Sequence, residues 1–290
     1  MAKEKFNIEI AKHGCFCPGV QSAIDIVIKL QKESKKPIFT IGPLIHNKHV
    51  TDELEKKGIH TINNLKEVKG KDAVLIIRAH GVTPQFFKQI EDTDNEVVDA
   101  TCPLVKVAQK KIEQYAKKGY STVIVGDEGH AEVIGLLGYA KEKGFVVANE
   151  KEAKKLPHFD EVNVVSQTTQ KEEIFYKVSE IIKKNSKKCV IANTICQPTK
   201  ERQKETVAFA KKSDLVIVVG GKHSANTARL ANLCEELTKN VIHIESAKEL
   251  SAKQVLPSEN IFITAGTSTP RWLVEEVRDR VNLLKSKKGK

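Results

Sequence analysis

The stretch Glu96-Val-Val-Asp-Ala-Thr-Cys-Pro-Leu-Val-Lys-Val-Ala108 decides the fold. Its strand-like run, 96–100, stops at Cys102, and Pro103 then opens a segment (104–116) in which apolar residues recur at helical spacing. Proline suits a first helical turn because its missing N–H would have had no partner there. Cys102 therefore reads as lying just before a helix N-terminus, where the dipole favours a thiolate. The pattern occurs twice more. The run 7–11 leads to Cys17-Pro18 and a helical segment 20–30, and the run 189–193 leads to Cys196-Gln197-Pro198 and 199–210.

Each copy then repeats the same order of elements. A second strand (37–41, 122–125, 215–219) ends in a glycine-marked polar loop: His46-Asn47, His130-Ala-Glu132 or His223-Ser224-Ala-Asn226. His46 comes 29 residues after Cys17, while His130 and Ser224 each come 28 after Cys102 and Cys196. A further strand (59–62, 145–148, 241–244) and a last one (73–77, 161–165, 260–264) follow. The last strand runs into His80-Gly-Val-Thr83-Pro84, Ser166-Gln-Thr168-Thr169 or Gly266-Thr-Ser268-Thr269-Pro270. Thr83 and Thr269 before proline read as helix N-caps, and Thr169 with Glu172 as a capping box. Strand–helix alternation in copies of roughly 90 residues implies small α/β domains with mainly parallel sheets. The expected division is 1–95, 96–187 and 188–282, with a basic tail at 283–290.

Composition removes whole classes. Of 290 residues, 40% are hydrophobic and 29% charged, which describes a folded chain. Apolar runs such as Leu215–Val219 are far shorter than the roughly twenty residues of a membrane span. The polar opening, 1–10, has no apolar core of an export signal, so a cytoplasmic protein is expected. The surplus of +11 comes from lysine, with only six arginines and 5% aromatics, and reads as a solvated surface rather than a nucleic-acid reader. It still suits an acidic protein partner or a phosphorylated substrate. No strongly apolar exposed helix stands out, so a monomer is expected.

The six cysteines fall into two groups. Cys189 at a strand start, Cys234 within Ala231-Asn-Leu-Cys-Glu-Glu and Cys15, with no counterpart in the other copies, read as packing or incidental thiols. Cys17, Cys102 and Cys196 occupy equivalent places, which points to metal ligation. In parallel sheets, reactive groups gather at the carboxyl ends of the strands. If the copies turn those ends inward about a pseudo-threefold axis, the thiols share one cavity. Three thiolates suit zinc or a 4Fe–4S cluster with one open iron, and spacing alone does not separate these. His46, His80, His130, Ser224, Asn226 and Ser268, with helix N-termini, supply donors for a phosphate or diphosphate. Glu132 is the obvious carboxylate among them, either a general acid or a first-turn complement to a helix dipole. A zinc-dependent phosphate-ester hydrolase and a non-catalytic iron–sulfur carrier or sensor are the competing classes, although a carrier has no need of a diphosphate clamp.

These motifs resemble the LytB-type 4-hydroxy-3-methylbut-2-enyl diphosphate reductase family. The resemblance rests on Phe16-Cys17-Pro-Gly-Val, Ile45-His46-Asn47, Ala79-His80-Gly81, Asp99-Ala-Thr-Cys102-Pro-Leu-Val105 and Gly129-His130-Ala-Glu132-Val. It extends to Ser166-Gln-Thr168-Thr169, Asn193-Thr-Ile-Cys196 and Ala265-Gly-Thr-Ser268, in order along nearly the whole chain. It implies a trefoil of three α/β domains around a 4Fe–4S cluster held by Cys17, Cys102 and Cys196. It also implies diphosphate binding by His46, His80, His130, Ser224, Asn226 and Ser268, proton donation by Glu132, and orientation of the substrate hydroxyl by Thr168. The implied reaction is a two-electron reductive dehydroxylation giving isopentenyl and dimethylallyl diphosphates; the lysine surplus suits an acidic reduced ferredoxin or flavodoxin as its electron donor. The sequence departs from the family pattern at Ala225, where a second serine is common, and in the extra thiol Cys15.

Overall fold

The computed structural model describes residues 6–286. From the amino end the chain runs β1 (Asn7–Ile10), α1 (Pro18–Glu33), β2 (Ile38–Ile41), α2 (Lys48–Lys56), β3 (Ile59–Ile62), β4 (Val74–Ile77), α3 (Pro84–Glu91) and β5 (Glu96–Asp99). It continues through α4 (Pro103–Lys117), β6 (Ser121–Val125), α5 (Ala131–Tyr139), β7 (Gly144–Val147), the short α6 (Glu150–Ala153), β8 (Phe159–Ser166), α7 (Glu172–Lys184) and β9 (Ser186–Ile191). There follow α8 (Gln197–Ala210), β10 (Leu215–Val219), α9 (Ala225–Glu235), β11 (Val241–Ile244), the short α10 (Ala252–Val255), β12 (Asn260–Ala265) and α11 (Arg271–Ser286).

The strands form three four-stranded sheets of one topology: β3-β2-β4-β5, β7-β6-β8-β9 and β11-β10-β12-β1. Every pairing is parallel. The α/β class read from the sequence is therefore the architecture observed. Sheets and sequence repeat are offset by one strand, however. The strand before each cysteine closes the sheet of the preceding copy: β5 pairs with β4, β9 with β8, and β1 with β12.

Burial explains the residue choice. Central strands of a parallel sheet are covered on both faces and need no polar alternation. Val74-Leu-Ile-Ile77 and Leu215-Val-Ile-Val-Val219 are buried throughout, whereas the edge strands β1 and β5 alternate or stay half-exposed. On the sheet of β6 and β8, Phe175, Val178 and Ile182 of α7 pack with Val123, Val125, Val162 and Val164. Its other face takes Ala108 and Ile112 of α4 with Val133 and Leu136 of α5, against Ile124 and Val165. On the sheet of β10 and β12, α11 covers one side through Leu273, Val277 and Val281, and α9 the other through Leu230, Ala231 and Cys234. Thus α4 leaves the end of β5 and packs on the following sheet.

The described residues divide into two compact units. One comprises 6–18, His46–Lys48 and 197–286, and holds the sheet of β1, β10, β11 and β12. The other comprises Gly19–Ile45 and His49–Cys196, and holds the other two sheets. Of the basic tail expected at 283–290, residues 283–286 continue α11 and 287–290 lie outside the described residues. Among the described residues, no helix is long and apolar enough to cross a membrane.

One cap differs from expectation. Thr83 does cap α3, accepting from the Phe86 N–H at 3.2 Å. The cap of α7 is Lys171, and Glu172 instead accepts from the Asn193 amide at 3.1 Å. Thr269 donates to the Val219 carbonyl at 3.0 Å, tying the loop after β12 to β10.

Candidate functional site

The three cysteines of the repeat share one backbone hydrogen bond. The Cys102 N–H donates to Ala79 at 2.9 Å, Cys196 to Thr168 at 2.9 Å and Cys17 to Thr267 at 3.1 Å. Each acceptor lies in the loop leaving the central strand beside the cysteine-bearing strand: β4, β8 and β12. Each cysteine immediately precedes a helix, α4, α8 and α1 respectively, and all three are partly exposed and in no disulfide. Soft ligands at helix N-termini, with no disulfide partner, fit a bound iron–sulfur or zinc centre. Cys234 is fully buried in the core under α9, and Cys189 packs under α7, where burial pushes its thiol up. Their chemistry is packing.

In the unit that holds β2–β9, the loops after β4, β6 and β8 carry His80, His130, Glu132 and Thr168. The two imidazoles meet edge to face, with ring centroids 5.5 Å apart. His130 caps α5, its Nδ1 accepting from the Glu132 N–H at 3.1 Å. A neutral ring that accepts at Nδ1 carries its proton on Nε2, so Nε2 is a donor. Glu132 is only 3% exposed, although it sits in a first helical turn. Its Oε1 accepts from the Thr168 N–H at 2.6 Å and its Oε2 from the Thr168 hydroxyl at 2.8 Å. Dipole complementarity alone would leave this side chain in solvent. Thr168 is thus a junction: amide and hydroxyl to Glu132, carbonyl from Cys196.

In the same unit Asp99 braces the turn before Cys102, against which the His80 loop packs. Asp99 Oδ1 accepts from the Thr101 N–H at 3.0 Å and its hydroxyl at 2.5 Å, and Oδ2 meets Lys106 at 2.7 Å. Gly81 lies against this turn with φ of 72°, and a Cβ there would come within 2.6 Å of the Gln109 amide. Only glycine satisfies both the left-handed backbone and that approach. Burial pushes the Asp99 carboxyl up, but the bonds from Lys106 and Thr101 outweigh it and leave the group below the ordinary aspartate range.

In the other unit, Ser224 caps α9, accepting from the Thr227 N–H at 3.4 Å, and Ala225 is the first residue of that helix. Asn226 follows in the first turn; it is buried, and its Nδ2 has no partner among the described residues. An unmatched buried donor beside a helix N-terminus suits an anionic ligand. Ser268 Oγ donates to the His46 carbonyl at 3.2 Å, placing the His46-Asn47 segment by the loop after β12.

Sequence reasoning missed the groups that hold the Cys17 loop. Arg202 of α8 is 3% exposed; one Nη donates to the Ala265 carbonyl at 2.5 Å and the other to Cys15 at 2.8 Å. Glu205, one turn on, accepts from the Lys12 N–H at 2.7 Å and the His13 N–H at 3.0 Å. One helix face thereby satisfies the amides and carbonyls of the segment leading to Cys17. The available signal was an arginine in a chain that otherwise uses lysine. Cys15 itself lies 4.0 Å from the Arg271 guanidinium.

These features describe a parallel α/β protein with partly exposed cysteines at helix starts, a buried amide donor at a helix N-terminus and a buried carboxyl–hydroxyl pair. The LytB protein family model matches residues 8–282, and the chain belongs to the LytB family. It is 42% identical over 281 residues to the 4-hydroxy-3-methylbut-2-enyl diphosphate reductase of Caldanaerobacter subterraneus, covering 96% of this chain and 98% of the relative. Among solved structures, it resembles the E-1-hydroxy-2-methyl-but-2-enyl-4-diphosphate reductase of Plasmodium falciparum with a TM-score of 0.88 at 28% identity. That match covers 96% of this chain and 88% of the other. A second solved structure, (E)-4-hydroxy-3-methyl-but-2-enyl diphosphate reductase, described as the terminal enzyme of the non-mevalonate pathway, gives 0.69 at 36% identity over 96% and 99%.

Two predictions follow from the loop anchors. Asp99→Asn lowers stability at neutral pH, because the depressed carboxyl stabilises the fold while ionised. That stabilisation is present above the unfolded value and lost as pH falls through the folded one. The gap between wild type and variant in urea unfolding therefore narrows in acid. Arg202→Met leaves the Cys15 and Ala265 carbonyls without their donor and costs about 3 kcal/mol. Thermal unfolding checks this, with Arg202→Lys restoring only part because it lacks the planar fork.

Proposed function

We propose that this chain reduces 4-hydroxy-3-methylbut-2-enyl diphosphate to isopentenyl and dimethylallyl diphosphates, taking up two electrons and two protons and releasing water. Cys17, Cys102 and Cys196 hold a 4Fe–4S cluster in this reading. When bound, a cluster with three thiolate ligands supplies electrons singly and keeps one iron open to an oxygen ligand. The reading is supported by the names of the relatives and by the repeated cysteine placement. The observation that carries it is the buried Glu132–Thr168 pair, which has a use in C–O cleavage and none in electron carriage.

Hydroxide leaves poorly, so the departing oxygen needs a proton. The 2.8 Å contact between Glu132 Oε2 and Thr168 Oγ1 serves in either protonation state, with the hydroxyl donating to a carboxylate or the acid donating to the hydroxyl. Thr168 Oγ1 turns its proton to the substrate oxygen and is resupplied from Glu132. Both donors of Thr168 to Glu132 and its carbonyl bond from Cys196 hold the hydroxyl in place, so little reorganisation accompanies the transfer. The Nε2–H of His130, with His46 and His80, binds the diphosphate. So do Ser224, the Asn226 amide and Ser268, and fixing that end converts binding energy into orientation of the allylic carbon. At position 225 only the backbone N–H serves, because alanine offers no hydroxyl.

The electron donor in this proposal is a reduced ferredoxin or flavodoxin, whose acidic surface complements the +11 balance, and the enzyme works as a monomer in the cytoplasm. Anaerobically prepared protein is expected to be brown and to oxidise a chemical reductant only when the hydroxylated allylic diphosphate is added. Zinc without iron, or a cluster with no diphosphate-dependent turnover, refutes the reading. Glu132→Gln should retain iron and substrate binding while turnover falls by about 10²-fold or more. Cys102→Ser should lower bound iron and sulfide, measured on the same sample. Full loading of that variant assigns the ligand elsewhere.

A further inference from the structure

The unit holding β2–β9 contains a cavity of about 350 Å³ at the carboxyl ends of β2 and β4. Arg78, Asn63 and Thr83 give it polar wall, and Phe86 and Ile134 give it apolar wall. None of the residues assigned above to cluster, diphosphate or proton transfer lines it. Arg78 is the informative member. Its buried Nε has no hydrogen-bond partner among the described residues, and its side chain makes no ion pair there. Burial pulls the guanidinium below the ordinary arginine range.

The backbone makes room for this cation. Gly42, at φ of 70°, faces it so closely that a Cβ would lie 2.8 Å from Nη1. A desolvated charge without a counter-ion is unfavourable, and a planar fork at a cavity wall matches carboxylate or phosphate oxygens. Part of the wall is hydrocarbon: Ile134 on α5 is a large apolar side chain left 49% exposed. We propose that this cavity binds a small amphipathic anion, with a phosphate or carboxylate head on Arg78 and a short hydrocarbon against Phe86 and Ile134. The occupant bridges Arg78, two residues before His80, and Ile134, two residues after Glu132. It therefore links the segments bearing those groups.

The test is calorimetric titration of the full-length, cluster-loaded protein with butyl phosphate, butyrate and inorganic phosphate. Binding at the diphosphate site is common to wild type and Arg78→Met, so the difference between them reports the cavity. Arg78→Met should weaken the additional binding at least tenfold. Ile134→Ser should weaken butyl phosphate while leaving inorganic phosphate unchanged. Whichever of butyl phosphate and butyrate binds more tightly names the head group. Identical isotherms for wild type and a folded Arg78→Met overturn the proposal, as does binding abolished by Asn226→Ala alone. If Arg78→Met fails to fold, crystals of the wild type soaked in butyl phosphate decide. Density spanning Arg78 and Ile134 supports the site, and density elsewhere or none overturns it.

Discussion

Each cysteine of the repeat is held by its own amide, donated to the loop of the strand next door, and that bond is the last rung of a parallel ladder. The rungs before it are the same in each sheet: Ala11 to Ile263, Ala100 to Ile77 and Ala192 to Val164. Parallel pairing puts the ends of neighbouring strands at one edge, so a strand and its neighbour deliver their loops together. The cysteine thus arrives beside His80, Thr168 or Ser268 because of where the ladder ends. Proline or a polar helix start must come next, since the chain has to leave the sheet at that point. Antiparallel pairing of the same strands would send the two loops to opposite edges.

The offset between repeat and sheet follows from this. If the strand before a cysteine paired within its own copy, the thiol would be positioned by its own loops alone. Pairing with another copy instead makes each cysteine report on the central strand of that copy's sheet, and leaves the helix after it free to pack on a different one. Within one unit this is visible in α4, which starts from the edge of the β2–β5 sheet and buries Ala108 and Ile112 on the sheet of β6 and β8. Each copy is therefore incomplete by itself, which gives a reason for repetition.

Strand positions were legible in the sequence because buried parallel strands write themselves as apolar runs: Leu215–Val219 was read as a strand and is β10. The cysteine–helix junctions were legible because proline and polar residues mark them. Pairing across copies was not, since periodicity reports burial and not the identity of the neighbour. Thr169 with Glu172 matched a capping box, yet Asn193, 21 residues away, supplies the partner of Glu172. Arg202 and Glu205 escaped for the same reason: their acceptors and donors lie 187 and 193 residues distant in Cys15 and Lys12. Glu132 was visible as a candidate acid, but only its burial against Thr168 separates that role from a first-turn complement.

Thr168 shows how much of the proposed chemistry rests on backbone. With its N–H given to Glu132, its carbonyl taken by Cys196 and Oγ1 held at 2.8 Å from Glu132, turning of the O–H about the Cβ–Oγ1 bond is the freedom left to it. Thr168 thereby matches both oxygens of Glu132, a balance of donors and acceptors set by the loop after β8. The surface lysine–glutamate pairs, such as Lys177 with Glu173 at 2.6 Å, are screened and contribute little to this balance. In the proposed function the lysine surplus acts earlier, drawing a polyanion toward the chain.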